Sequence, residues 1–255
     1  MLFGHYFGFV VQRVFFVSLE PPMKIIFAFF LGLAIFPVSQ DAQAQQGEPV
    51  EIARTRVLLM RAKAPQASLI LMPGGEGVIG VTPEGLLSRA KGNSLVRTAE
   101  DFRKRGLAVM IVEYNTDLRA AVEYMAAIKR PVIVAGTSRG TLRAAEGIAK
   151  GAHPDRLVLT SGFLTAESGH RSQNVEAILG APDRLPPTLI VHHRHDGCRF
   201  TLPAGVEPFL KWAGGKARVT WLDGGESEGD ACDAWAHHGF NGIEARMVAA
   251  VAGFR

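Results

Sequence analysis

The chain has 255 residues, of which 47% are hydrophobic and 8% aromatic, and it carries a formal net charge of +4. That apolar content suits one well-packed globular domain and excludes a disordered or fibrous chain. The charge is mild and no dense Lys/Arg run interleaved with aromatics occurs, which argues against a nucleic-acid partner.

Residues 1–44 read as a targeting segment rather than as part of the fold. Met23-Lys24 is followed by an apolar run from Ile25 to Val38 and then by Ala42-Gln43-Ala44. A basic start, a short apolar core and a small-x-small exit make a secretory signal, with cleavage expected after Ala44 and Met23 as the true start. The run is shorter than the ~20 residues of a membrane span, so no stable span is expected in the mature protein. The alternative is an N-terminal membrane anchor, which the apolar residues 1–22 keep open. Arg13 and Lys24 balance Glu20 and Asp41, so removal leaves the net charge unchanged. The expected location is periplasmic or secreted, and residues 45–255 are expected to form a single domain.

After a linker at Gln43–Gly47, short apolar runs alternate with helical patterns. Val50–Met60 and Ser68–Met72 read as an antiparallel pair of strands turning at Lys63–Gln66. A helix over Thr98–Arg105, stopped by Gly106, leads to a strand over Leu107–Tyr114. Asp117 is placed to cap a helix over Leu118–Ile128. Further strands are read at Pro131–Ala135, Leu157–Thr160, Thr188–His193 and Ala217–Leu222. Helices are read at Thr141–Lys150, Ala204–Trp212 and Gly242–Val251. Alternation of this kind predicts an α/β fold: a mostly parallel sheet covered by helices on both faces, with an antiparallel edge at its start.

The strand at Pro131–Ala135 runs straight into Gly136-Thr137-Ser138-Arg139-Gly140. A strand that reverses into a helix over so few residues forces its apex residue into a left-handed conformation, and small neighbours make room for it. Ser138 then presents its hydroxyl, and the Arg139 N–H opens the helix. A serine hydroxyl needs a base to take its proton and an acid to orient that base. Downstream, Thr188–His193 leads to Arg194-His195-Asp196-Gly197, and Ala236-His237-His238-Gly239 precedes the last helix. Taken singly, Ser138 reads also as a helix cap and Asp196 as an Asp-Gly turn residue. His192, His193 and His195 read as hydrogen-bonded strand-end residues. The His-x-x-His spacing among them lacks the carboxylate or cysteine ligands of a metal site.

The order Ser, Asp, His, each just past its strand, resembles the α/β-hydrolase family. The resemblance runs through nearly all of the mature chain in element order, although three short motifs carry it. It implies Ser138 as nucleophile, Asp196 as acid and His238 as base, with adjacent His237 as the alternative. It also implies an oxyanion hole formed by the Arg139 N–H and by Gly75 in the loop Pro73-Gly74-Gly75-Glu76-Gly77. That loop departs from the family's common His-Gly start, since Pro73 stands in the histidine's place. Glu76 beside the hole is expected to turn away and pair with a cation such as Arg139.

The expected activity is cleavage of an ester or thioester, less readily an amide, of a small or surface-presented acyl substrate, with no cofactor and no metal. The short stretch Leu164–Pro187 leaves no room for a large cap and implies an open site. The two cysteines, Cys198 and Cys232, lack the paired short spacings of a zinc site. An oxidising compartment permits them to pair. If the resemblance holds, their loops are neighbours and a disulfide ties the acid loop to the histidine loop. Two other functions remain in view. One is a non-catalytic binding protein on the same fold. The other is a dinucleotide-dependent oxidoreductase, because Gly75-Glu76-Gly77-Val78-Ile79-Gly80 fits Gly-x-Gly-x-x-Gly. Pro83 and Gly85 interrupt the helix that this motif requires, and Glu113 lies too far on for a ribose contact.

Overall fold

The structure, a computed structural model, describes residues 46–255. Expectations for the targeting segment, the start at Met23 and the cleavage after Ala44 lie outside the described residues. Of the linker, Gln46 and Gly47 are described. They are pinned rather than free: Gln46 bridges to Leu86, and the Gly47 N–H donates to the Gly85 carbonyl at 3.0 Å.

Among the described residues eight strands form one sheet. They are β1 (Glu48–Ile52), β2 (Thr55–Met60), β3 (Ala67–Met72), β4 (Leu107–Ile111), β5 (Val132–Thr137), β6 (Arg156–Thr160), β7 (Thr188–His193) and β8 (Ala217–Leu222). Their spatial order is β1-β2-β4-β3-β5-β6-β7-β8. From β4 through β8 all neighbours run parallel, while β1 and β2 form an antiparallel edge. The edge differs from the expected one in two respects. Val50–Met60 is a hairpin, because Ala53 and Arg54 both take positive φ (45° and 70°) and turn the chain back on itself. β2 pairs with β4, so no hairpin joins β2 to β3. The residues between them carry the chain past β4 instead.

Among the described residues seven α-helices cover the sheet: α1 (Ser94–Arg97), α2 (Ala99–Lys104), α3 (Leu118–Ile128), α4 (Arg139–Ala149), α5 (Val175–Leu179), α6 (Val206–Trp212) and α7 (Glu244–Ala252). Asp117 caps α3 as expected, its side chain accepting the Ala120 N–H at 3.1 Å. Because strand side chains alternate faces, β3 sends Ile70 and Met72 to one core and Leu69 and Leu71 to the other. The first core holds Leu118, Met125, Ala145, Ile148, Val175 and Phe209 of α3 to α6. The second holds Leu95, Phe102, Met247 and Val251 of α1, α2 and α7. Among the described residues no helix is long and apolar enough to cross a membrane.

β3 is followed by β4 on one side and flanked by β5 on the other, so the chain changes winding direction between β3 and β5. In open α/β sheets the crevice at the carboxyl ends of such strands is where ligands bind. Here it receives the glycine loop after β3 and the Gly-x-Ser-x-Gly turn after β5. The approach is close. A β-carbon on Gly140 would collide with the Met72 carbonyl oxygen, and one on Gly136 would lie 2.6 Å from the Gly140 carbonyl oxygen. Gly140 lets the first turn of α4 sit against the end of β3, and Gly136 lets it fold back over the end of β5. Gly140→Ala is therefore expected to lose roughly 1–3 kcal/mol of stability through overpacking. Urea unfolding of the variant beside wild type measures this directly.

Candidate active site

Ser138 occupies the turn between β5 and α4 with φ 52° and ψ −125°, a left-handed backbone that a side-chain-bearing residue rarely adopts. Its own N–H donates to the Thr160 carbonyl at 3.1 Å, and its carbonyl accepts the Thr141 hydroxyl at 2.6 Å. Neighbouring backbone thus fixes the strained turn from both sides. The Arg139 N–H is the first of α4 and has no acceptor within the helix.

The acid is equally well held. Asp196 is 3% exposed and follows β7. One carboxylate oxygen accepts the Cys198 N–H at 3.0 Å; the other accepts the Thr201 hydroxyl at 3.1 Å and His238 Nδ1–H at 3.0 Å. Burial alone would raise its pKa. The His238 hydrogen bond, the charges of His238 and His192 and the Cys198 N–H outweigh burial and hold the carboxyl below its ordinary value. An ionised Asp196 can only accept, which puts the His238 proton on Nδ1 and leaves Nε2 as the basic nitrogen. Ser161, itself at φ 42°, donates its hydroxyl to the His238 carbonyl at 2.7 Å and fixes the backbone there.

The neighbouring histidines separate cleanly. His237 stacks on His193, ring centroids 4.3 Å apart, and its Nδ1 lies 3.3 Å from the His195 carbonyl oxygen, with no hydrogen bond to Asp196. His192 is fully buried and donates Nε2–H to the Thr201 carbonyl at 2.9 Å. Its Nδ1 is buried without a partner. Burial pushes its pKa down to about 4, because a proton on Nδ1 would be a charge without an acceptor. Among the described residues no group of three or more His, Cys, Asp or Glu is arranged to hold a metal ion.

Ser138 and His238 line one cleft of about 370 Å³ with Gly74, Gly75, Asn93, Ala234 and Gly239. In this structure no hydrogen bond joins the Ser138 hydroxyl to the His238 imidazole. No residue between 164 and 187 lines the cleft, and that stretch contains the short helix α5, which the sequence pattern did not reveal. Arg89, Glu76 and Asp233 also line this cleft, and the indole of Trp235, 49% exposed, lies beside its lining residue Gly92.

Three tethers hold the loops, and sequence reasoning found one of them. Cys198 and Cys232 form a disulfide that joins the Asp196 loop to the segment before His238. Arg143 of α4 donates to the Gly75 carbonyl at 3.2 Å and to the Pro73 carbonyl, clamping the glycine loop onto the serine's own helix. Burial holds its pKa below the usual arginine value. Arg97 at the end of α1 donates to Gly92, Ala234 and Gly239 carbonyls at 2.5, 3.1 and 2.7 Å and pairs with Glu244 of α7 at 2.8 Å. It also lies 4.7 Å from the Trp235 ring centroid. The expected pairing of Glu76 is corrected. Glu76 is exposed and makes no ion pair among the described residues, and the cation that reaches this loop, Arg143, binds its carbonyls instead. The Gly-x-Gly-x-x-Gly run opens no helix. The N–H groups of Ile79 and Gly80 donate to the Glu113 carboxylate at 2.9 and 2.7 Å, so the amides a phosphate would need are already occupied.

No protein-family model matches the sequence, and no curated protein matches it. Solved structures do match. A structure titled an alpha-beta serine hydrolase homologue, from Coxiella burnetii, is 14% identical with a TM-score of 0.57 over 83% of this chain and 98% of that one. An esterase domain from Rhodothermus marinus is 15% identical with a TM-score of 0.55 over 80% and 94%. A Xanthomonas campestris protein, described as an a/b serine hydrolase without lid, is 14% identical with a TM-score of 0.55 over 82% and 93%. The chain has the α/β-hydrolase fold. Within that fold, Ser138, Asp196 and His238 stand past β5, past β7 and before α7, at the carboxyl edge of the sheet.

Neutral burial of His192 makes the fold acid-sensitive. Its folded pKa lies below the unfolded value of 6.5, so the unfolded chain binds more protons between pH 6.5 and about 4, and stability falls as pH drops through that window. The loss is on the order of 3 kcal/mol. His192→Gln retains a donor toward Thr201 without the titration. Its melting temperature is expected to fall less steeply from pH 7 to pH 4 than that of wild type, as thermal scans across that range would show.

Proposed function

We propose that the protein is a serine hydrolase that cleaves ester or thioester bonds through an acyl-enzyme. The observation that carries this reading is a serine in a left-handed strand-to-helix turn, sharing one cleft with a histidine whose Nδ1–H is held by a buried carboxylate. In the proposed reaction, Ser138 Oγ adds to the acyl carbonyl while His238 Nε2 takes its proton, and the carbonyl π pair moves to the oxygen. Gly75 and Arg139 N–H groups receive that oxyanion. His238 then returns the proton to the departing alcohol or thiol as its bond to carbon breaks. Water, deprotonated by His238, releases the acid and restores Ser138. Asp196 keeps the imidazole in the Nδ1–H tautomer and stabilises the imidazolium.

Neither backbone donor is consumed by a protein acceptor among the described residues, which supports their assignment to the hole. The absence of any cleft wall from residues 164–187 supports an open site for small or surface-presented acyl groups. We place the mature protein outside the reducing cytoplasm, a reading supported by the disulfide and by the leader-like residues 23–44.

A fluorophosphonate probe is expected to label wild type covalently, and Ser138→Ala to abolish both labelling and hydrolysis of nitrophenyl esters. Labelling that survives the substitution would refute the nucleophile, and a wild type that neither labels nor hydrolyses would leave a binding protein on this fold. The disulfide closes a loop of 34 residues' separation, worth about 3–4 kcal/mol on the chain-entropy model. Complete reduction, or Cys198→Ala, is expected to lower melting temperature and turnover together. Unchanged turnover after reduction would discard the disulfide's role in orienting Asp196 against His238.

A further inference from the structure

We propose that Asn93 supplies a third hydrogen-bond donor, from its side chain, to the acyl oxygen of the substrate; the proposal rests on the reading of Ser138 as nucleophile. Asn93 stands at the N-cap of α1, where its Oδ1 accepts the Leu95 N–H at 3.2 Å. That bond settles which end of the carboxamide is which: the oxygen belongs to the helix and the nitrogen to the cleft, which Asn93 lines. A β-carbon on Gly74 would lie 3.4 Å from Asn93 Nδ2 and 3.0 Å from Ser138 Cβ. Only a gap of methyl size, kept open by Gly74, therefore separates the amide nitrogen from the serine side chain. Gly74 also directly precedes Gly75, whose N–H is assigned to the same oxygen.

The nitrogen is unspent. Among the described residues neither Nδ2 hydrogen of Asn93 has an acceptor. Asn174 provides an internal comparison. It caps α5 in the same way, its Oδ1 accepting the Ala177 N–H at 2.8 Å, yet its Nδ2 donates to the His170 and Arg171 carbonyls at 3.1 and 3.3 Å. One cap is closed on itself, and the other keeps two donors facing the reacting serine. A neutral amide held by its own oxygen needs no reorganisation as charge develops on the substrate, the condition under which such donors act on turnover rather than on binding.

The two functions of Asn93 can be separated, because Asp and Ser cap helices about as well as Asn. Asn93→Ser keeps a neutral cap too short to reach the cleft, and Asn93→Asp keeps the reach and the cap oxygen without the donors. Both are expected to melt close to wild type, to lose about 10- to 1,000-fold in kcat on a nitrophenyl ester with KM little changed, and to bind a boronic acid that turns tetrahedral on Ser138 correspondingly more weakly. Wild-type kcat in Asn93→Ser would overturn the proposal. So would a loss confined to KM, or one that follows a fall in melting temperature. These outcomes leave the nucleophile standing as long as Ser138→Ala is inactive. An active Ser138→Ala removes both readings together.

Discussion

The chain passes from β5 to α4 through a single left-handed residue, and the geometry of the cleft follows from that reversal. At Ser138 the backbone has no freedom to relax, because Thr160 accepts its N–H and Thr141 donates to its carbonyl. The reversal also brings α4 down onto the end of β3, an approach only glycine at 140 permits, while Gly136 makes room for the first turn of α4 against β5. The same contact therefore sets the spacing between the Arg139 N–H, which opens α4, and the loop that begins at Pro73. The serine's exposure and the position of the facing amides are two consequences of one packing constraint. It sits at the point where the sheet changes winding direction, so the crevice is open above it.

Strain at one turn does not by itself arrange the loops that must meet it, and here the tethers matter. Arg143 reaches from the serine's helix to the carbonyls of the glycine loop, so helix and loop move as a unit. Arg97 binds carbonyls on both sides of His238 and the carboxylate of Glu244, which joins α1, the histidine loop and α7. The disulfide joins the acid and histidine loops through covalent bonds. Charge-assisted hydrogen bonds of this sort are worth about 1.5–3 kcal/mol each. Their larger effect is on placement: they hold the glycine loop, the Asp196 loop and the His238 loop in fixed positions around Ser138.

Much of this was legible in the sequence. The apolar runs located β3, β5, β6 and β7 to within two residues at each end, because buried parallel strands are written as continuous hydrophobic segments. The edge strand β8 was legible instead from the alternation Ala-Arg-Val-Thr-Trp-Leu. Gly-x-Ser-x-Gly marked the reversal, and Asp117 announced the start of α3. The hairpin of β1 and β2 was not legible, since Ala53-Arg54 carries none of the Asn, Asp or Gly that normally signal a turn with positive φ. Arg97, Arg143, Asn93 and Thr201 were not legible for another reason. Their partners lie elsewhere in the chain, and an isolated arginine, asparagine or threonine has no local pattern that distinguishes such a residue from an ordinary surface one. Glu76 shows the converse: the resemblance put it beside the same hole as Arg139 and suggested an ion pair, whereas the fold brings Arg143 to the loop's carbonyls.

The most direct test of this account is a crystal structure of the protein after reaction with a fluorophosphonate. The account predicts phosphorus bonded to Ser138 Oγ, one phosphoryl oxygen within hydrogen-bond distance of the Gly75 and Arg139 N–H groups, and His238 still bound through Nδ1 to Asp196. Phosphorus on any other residue, or an adduct on Ser138 whose oxygens touch neither amide, would contradict it.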